Sequence, residues 1–320
     1  MILPSFNLHQ PATLSEALEL AADLGPSAHF LAGGSDLLVR IKLSATPVTD
    51  LISIGAVKEL QRIKGLEIGG GVSLQSLASS PVIQKRFPAL SQAVESVGTA
   101  QVRNMGTLAG NICQATRCWY FNRSQRLARL KPICIKRGGA ECLVSPKTKR
   151  CFATYQGDTA AALIALGAEV RLQSKGQSRQ IGLTDLFCDA GDRHLNLMPG
   201  ELLTHVILPD PSPASLSGYC KFRLRAGIDF PLAGVALNLI PPGTEKPEGE
   251  VRVGLTGLAS RPWLQVFDAG ISPVELGDAV RRIARPVNNV GGQSGHRRHM
   301  AGQLAEDLIK ELRDEASNHA

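Results

Sequence analysis

Apolar residues recur along this chain with the periods of both helices and strands. The stretch TLSEALELAADLG (13–25) places its leucines and alanines on one helical face. It begins with a Thr13–Glu16 capping box and ends at Gly25, so the pattern predicts a complete helix. Further helices are predicted near 74–79, over 88–98 and 158–167, near 274–283, and from about 296 onward.

Strand patterns alternate with these helices. AEVRLQSKGQSRQIGL (168–183) predicts a hairpin that turns at Lys175–Gly176. Other strands are predicted after residue 28 and within 47–54, 66–74, 202–209, 218–225, 230–240 and 251–259. Because the strands lack a regular series of helical crossovers, we expect an α+β fold rather than a doubly wound parallel sheet.

The Pro/Ser-rich stretch 209–218 indicates a domain junction. We expect a first domain over 1–210, built of two lobes at about 1–55 and 56–210, and a C-terminal α+β domain over 216–320.

Composition describes an ordinary globular chain. Of 320 residues, 43% are hydrophobic and 20% charged, with no apolar run long enough for a membrane span. The N-terminus lacks the pattern of a signal peptide, so a cytoplasmic location without membrane attachment is expected. The seven cysteines are then reduced thiols or metal ligands rather than disulfides.

The net charge of +7 is concentrated in one segment. Residues 117–150 hold ten basic residues and one acid, a net charge of +9, which leaves −2 for the remainder. No nucleic-acid-binding motif is present and aromatic residues are only 4%, so a nucleic-acid partner is not expected.

Two glycine-containing motifs could bind an anion. LAGGSDLL (31–38) and RNMGTLAGNI (103–112) combine glycines with hydroxyl and amide side chains, so backbone N–H groups could converge on a pyrophosphate. Neither is a P-loop or a GxGxxG fingerprint. The alternative is that both are tight turns in a chain with 32 glycines.

These motifs resemble those of the flavoprotein subunits of the xanthine dehydrogenase, or molybdenum hydroxylase, family. The resemblance continues through YQGDTAAALIALGAEV, YCKFRLRAGIDFPLAGVALNL and GQSGHRRHMAGQL, and covers essentially the whole chain. It implies an FAD-binding fold of the PCMH, or vanillyl-alcohol-oxidase-like, type with a C-terminal domain of the CO dehydrogenase flavoprotein type. The FAD-binding residues that it implies are Ala32, Gly33, Gly34, Ser35, Asp36, Gly106, Thr107, Gly110, Asn111, Asp158 near the ribityl chain and Lys221 near the flavin ring.

Four cysteines, Cys118, Cys134, Cys142 and Cys151, lie in the basic segment. Four thiolates suit either a [4Fe–4S] cluster or Zn²⁺, and spacing alone leaves the two open, although zinc ligands usually come in closer pairs. The insertion over 117–151 is similar to that of the β subunit of 4-hydroxybenzoyl-CoA reductase, which implies that these four cysteines bind a [4Fe–4S] cluster. Cys113 is interpreted as structural or as lining the flavin site.

The resemblance also implies a function. The chain would be an electron-transfer subunit without catalytic residues of its own, in a dimer of heterotrimers with a molybdopterin-binding large subunit and a [2Fe–2S] small subunit. Ferredoxin would supply electrons through the [4Fe–4S] cluster and FAD for reductive dehydroxylation of 4-hydroxybenzoyl-CoA. The alternatives are an oxidising relative of the CO dehydrogenase or xanthine dehydrogenase type and a zinc-stapled, non-catalytic module.

Overall fold

Three β-sheets, drawn from successive stretches of the chain, organise the protein in the computed structural model. The structure describes residues 3–128, 130, 132–212, 214–243 and 247–319. Arg129 and Lys131, which belong to the predicted basic segment, lie outside these ranges. Among the described residues, no helix combines the length and apolar character that crossing a membrane requires.

The first sheet is parallel, in the order β1-β3-β2. Its strands and helices are β1 (Asn7–His9), α1 (Leu14–Leu24), β2 (Ala28–Leu31), α2 (Leu37–Lys42) and β3 (Asp50–Ser53). The structure confirms the predicted first helix, because the Thr13 hydroxyl accepts a hydrogen bond from the Glu16 amide and Gly25 ends the helix at φ +69°. The apolar face of α1 is buried against this sheet.

The second sheet has five antiparallel strands in the order β4-β5-β8-β6-β7. The strands are β4 (Ile63–Lys64), β5 (Glu67–Gly69), β6 (Glu169–Ser174), β7 (Gln177–Gly182) and β8 (Leu202–Ile207). Ser174 pairs with Gln177, which confirms the hairpin turn at Lys175–Gly176. The helices of this stretch are α3 (Leu74–Ala78), α4 (Pro81–Arg86), α5 (Pro88–Glu95), α6 (Ala100–Met105), α7 (Leu108–Ile112), α8 (Gln125–Ala128) and α9 (Asp158–Leu166).

The third sheet is antiparallel in the order β12-β11-β10-β9. It comprises β9 (Leu216–Phe222), β10 (Ala233–Ile240), β11 (Glu250–Thr256) and β12 (Trp263–Asp268), followed by α10 (Pro273–Ile283) and α11 (Ser294–His319). The two helices contribute Leu276, Val280 and Ile309 to a core shared with Val235 and Val253. Together the three sheets confirm the α+β class.

Helix α9 lies between the second and third sheets. All nine of its residues are buried, as expected for a helix that is apolar all round. Its Leu163 and Ile164 belong to the core of the second sheet, whereas its Ala161 packs with Ala236 of β10. The N-terminus of α9 therefore has a fixed position relative to both sheets.

Gly254 of β11 permits the contact between this sheet and α9. A Cβ added at Gly254 would lie 2.0 Å from the carbonyl oxygen of Ala161, so Gly254→Ala must push two backbones apart. We expect a loss of about 1–3 kcal/mol of unfolding free energy, the usual cost of overpacking. Denaturant unfolding measures it against Gly270→Ala, where an added Cβ meets open space. Equal stability of the two variants would contradict this packing.

Candidate functional site

The two glycine motifs meet in space. The first turn connects β2 to α2, and the second separates α6 from α7. A Cβ added at Gly33 would lie 1.7 Å from the carbonyl oxygen of Met105, and one added at Gly106 would approach Ser35 Oγ at 3.8 Å. Only a residue without a side chain fits at Gly33, so the two turns form one continuous wall.

That wall borders a cavity with a volume of about 490 Å³, within the range typical of cofactor pockets. Ten of the eleven residues predicted to bind FAD line it, namely Ala32, Gly33, Gly34, Ser35, Asp36, Gly106, Thr107, Gly110, Asn111 and Asp158. Sequence positions more than 120 residues apart are thereby brought together at one site.

The eleventh predicted residue, Lys221, lies behind the cavity wall. Its ammonium donates to Asp158 Oδ1 at 2.9 Å, to the Ser96 carbonyl at 2.7 Å and to the Asp229 carbonyl at 3.2 Å. Three acceptors use all three N–H donors of a lysine. Within the described part of the chain, Lys221 is not among the lining residues; its contact with a flavin stays a prediction.

Asp158, at the first turn of α9, is the lining residue that this lysine supports. Oδ1 also accepts from the Tyr219 hydroxyl at 2.7 Å and from Ser96 Oγ at 3.3 Å. Burial, together with the neighbouring carboxylate, raises the pKa of Tyr219 well above its usual value, so this phenol remains a donor. Because Tyr219 and Lys221 are on β9, the C-terminal sheet fixes Asp158 at the cavity.

Asn111 joins the second glycine motif to the same helix. Its Oδ1 accepts hydrogen bonds from the Thr159 hydroxyl at 2.7 Å and from the Thr159 amide at 3.4 Å. Thr107 caps α7 by accepting from the Gly110 amide at 3.2 Å. The predicted Gly/Thr turn is therefore short, since helices occupy most of the motif on either side of residues 106 and 107.

Asp36 connects the first glycine turn to the cysteine insertion. Its carboxylate accepts from Arg40 Nε at 3.1 Å, from the Ala115 amide at 3.2 Å and from Arg117 Nη2 at 2.6 Å. Arg40 and Arg117 both line the cavity. The insertion therefore begins at the cavity wall.

The four cysteines of the insertion are free and buried. Cys118, Cys134 and Cys151 pack with Phe121 in one cluster, and Cys142 lies near enough to influence both Cys118 and Cys151 electrostatically. Burial raises the pKa of Cys118, and it raises that of Cys151 to about 11. Four neighbouring thiols of this kind become thiolates when a metal centre replaces their protons.

Two cations lie beside these thiols. Burial lowers the pKa of Lys136 to about 8, an effect that Cys151 partly offsets, and Lys136 Nζ lies 4.4 Å from the Phe121 ring centroid. Arg137 is electrostatically coupled to Cys134 and donates to the Phe121 carbonyl at 2.8 Å. These cations suit an anionic group bound by the cysteines.

The thiols are not arranged around one ion. In the parts of the chain that the structure describes, no three His, Cys, Asp or Glu side chains converge closely enough to bind a metal ion. The four thiolates that these residues can supply suit either Zn²⁺ or a [4Fe–4S] cluster. Of the aromatic residues after the first cysteine, Phe121 covers the thiols, whereas Trp119 is 56% exposed.

Several site residues were missed by the sequence analysis. Arg40, Arg117, Leu195 and Phe230 line the cavity without belonging to either glycine motif. An ion pair from Asp36 to Arg40 at the helical spacing of four residues was a signal that could have identified Arg40. Cys113 also lines the cavity, as one of its two interpretations proposed, and burial raises the pKa of its thiol to about 12.

Comparison with known proteins identifies the class. A family profile described as the FAD binding domain in molybdopterin dehydrogenase matches residues 4–211. The chain belongs to this family of FAD-binding subunits, and its glycine-walled cavity fits the cofactor. The fold implied by the sequence resemblance is thereby confirmed.

Individual relatives agree with this class. The aldehyde oxidoreductase FAD-binding subunit PaoB of Escherichia coli (strain K12) is 33% identical over 287 residues, which cover 84% of this chain and 87% of that protein. The carbon monoxide dehydrogenase medium chain of Hydrogenophaga pseudoflava is 26% identical over 325 residues, 97% of each. A solved carbon monoxide dehydrogenase from Hydrogenophaga pseudoflava, which lacks the Mo-pyranopterin moiety, matches with a TM-score of 0.76 and 24% identity over 98% of this chain and 99% of that one.

The contact between the glycine turns provides a test of the FAD site. Gly33→Ala should force the turn away from Met105 at a misfit cost of about 1–3 kcal/mol, and so release most of the bound FAD. The measurement is flavin per chain after gel filtration. Gly55→Ala is the matched control, because its added Cβ has only an ordinary contact at 3.8 Å. Full flavin content in Gly33→Ala would show that FAD does not use this wall.

Proposed function

We propose that this chain is the FAD- and [4Fe–4S]-containing electron-transfer subunit of a molybdenum enzyme that oxidises an aldehyde. The observation that carries the proposal is the adjacency of the glycine-walled cavity and four buried thiols, joined through Asp36 and Arg117. The oxidative direction is supported by the 33% identity to an aldehyde oxidoreductase subunit.

In this proposal the chain positions cofactors and holds no substrate-transforming residue. FAD supplies the exchange between two-electron and one-electron transfers. The residues of this chain hold the pyrophosphate at the two glycine turns, fix Asp158 through Lys221, and keep the thiols away from water. A molybdopterin-binding large subunit and a [2Fe–2S] small subunit complete a heterotrimer, which we propose forms a dimer. The match to a medium chain over 97% of this chain supports that assembly.

Reductive dehydroxylation of 4-hydroxybenzoyl-CoA is the second candidate, and the cysteine insertion favours it. The two directions are separated by adding either an aldehyde or reduced ferredoxin with 4-hydroxybenzoyl-CoA to the anaerobic complex. Loss of oxidised-flavin absorbance with the aldehyde supports oxidation. Formation of benzoyl-CoA, without any response to aldehydes, supports the reductive candidate and contradicts the first.

The metal centre has its own test. The anaerobically purified chain should contain about four iron and four sulfide, the content of one [4Fe–4S] cluster. Cys142→Ala should lose most of this iron, whereas Cys188→Ala, at a half-buried cysteine outside the insertion, should retain it. Zinc without iron in the unmodified chain would instead establish the zinc-stapled alternative.

An acidic electron-transfer protein, such as a ferredoxin, is the proposed partner at the insertion. It would be the donor in the reductive candidate and the acceptor in the oxidative one. Lys147 and Lys149 are exposed there, while Arg150 forms an ion pair with Asp189, with 2.5 Å between Nη2 and Oδ2. Exposed lysines attract an acidic partner most strongly at low ionic strength.

Removing these two charges should therefore slow association. Lys147→Asn combined with Lys149→Gln is expected to lower the second-order rate with ferredoxin by about tenfold at low salt and to flatten its salt dependence. Asparagine suits Lys147 because the backbone there has φ 69°. Lys58→Gln with Lys85→Gln, at exposed lysines elsewhere, is the control. An unchanged rate and salt dependence would place the partner on another surface.

A further inference from the structure

Arg117 connects the two cofactor sites within one peptide unit. It lines the cavity and directly precedes Cys118 in sequence. Its backbone is held on both sides by Thr154, with N···O distances of 2.7 Å in each direction. The direction of its side chain is therefore set by the same short bridge that places the first cysteine.

The guanidinium of Arg117 has donors to spare. Among the described residues it meets one acceptor, Asp36, at 2.6 Å, although a guanidinium carries five N–H donors. Its Nε is buried without a hydrogen-bond partner. A buried, charged donor of this kind is costly unless an acceptor arrives, which indicates that the group is arranged for a bound ligand.

The surroundings of Arg117 indicate which part of FAD it meets. Its guanidinium carbon lies 4.5 Å from the centroid of the Phe230 ring, and Phe230 lines the cavity with Leu195, Leu197 and Ile228. Flat aromatic and aliphatic walls suit a flavin ring, whereas the glycine turns, which let a ligand approach the backbone closely, suit the pyrophosphate.

Charge at this wall is positive. Asp36 is shared by Arg40 and Arg117, so two cations meet one carboxylate. Lys136 lies close enough for both arginines to lower its pKa further. The ammonium of Lys221, by contrast, already donates to three protein acceptors. Arg225, the third arginine that lines the cavity, is paired with Asp229 at 3.3 Å. The positive charge without a full counter-charge therefore belongs to Arg40 and Arg117, and of these two Arg117 contacts the Phe230 ring.

We propose that Arg117 is a flavin-contacting residue whose guanidinium stabilises the negative charge of the reduced flavin ring. A cation near the ring favours the reduced, anionic form over the oxidised, neutral one. The guanidinium, which lies on the side of the cavity that adjoins the cysteine site, thereby raises the midpoint potential of the flavin. The inference requires FAD, but it is independent of the metal and of the direction of electron flow.

The test is the flavin midpoint potential of Arg117→Met, measured by anaerobic spectroelectrochemistry. Loss of the charge should reduce the preference for reduced over oxidised flavin by about tenfold, a typical effect of one nearby charge. For a two-electron couple this lowers the potential by about 30 mV. Arg126→Met, at an exposed arginine of the same insertion, should leave the potential unchanged.

Two further measurements make the result decisive. Iron per chain should remain normal in Arg117→Met, because Asp36 still accepts from Arg40 and from the Ala115 amide at the start of the insertion. An unchanged potential overturns the proposal whether or not flavin is weakly held. If Arg117→Met weakened the binding of oxidised and reduced FAD equally, the guanidinium would be assigned to the pyrophosphate instead. Arg117→Gln, which keeps a donor for Asp36, decides the question where the methionine variant does not fold: its potential must also fall.

Discussion

The carboxylate of Asp36 is the interaction on which the cofactor region depends. It ends the first glycine turn and accepts hydrogen bonds from Arg40, Ala115 and Arg117. Those bonds fix the start of the cysteine insertion against the wall that the two glycine turns form. Without this junction, a loop of more than 30 residues with little regular structure would have no defined position relative to the flavin cavity. Asp36 therefore links the wall of the cavity to the segment that carries the thiols.

Elements with long, regular patterns were predictable from the sequence. The first helix was identified from its capping residues and its apolar face, and the hairpin from its Lys175–Gly176 turn. Each of these signals is local. Strands β1, with three residues, and β4, with two, were missed, because stretches of so few positions are too short to show an alternation of apolar and polar residues. The two short helices around Gly106 were missed for the same reason.

Only those residues of the candidate site that lie in a recognisable motif could be predicted from the sequence. The glycine motifs and Asp158 were found, and all of them line the cavity. Arg117 was not, because its role depends on Asp36, 81 residues earlier, and on a phenylalanine ring from the C-terminal part of the chain. The hydrogen bonding of the Lys221 ammonium likewise depends on Asp158, which lies 63 residues away. Such pairings are set by tertiary packing, and no local pattern reports them.

We propose that one chain holds FAD and a [4Fe–4S] cluster on either side of Arg117. The most direct measurement is a crystal structure of the anaerobically isolated chain recorded on both sides of the iron absorption edge. This arrangement predicts anomalous iron density enclosed by Cys118, Cys134, Cys142 and Cys151, and a flavin ring against Arg117 and Phe230. A single zinc ion at the cysteines, or a flavin ring remote from Arg117, would contradict it.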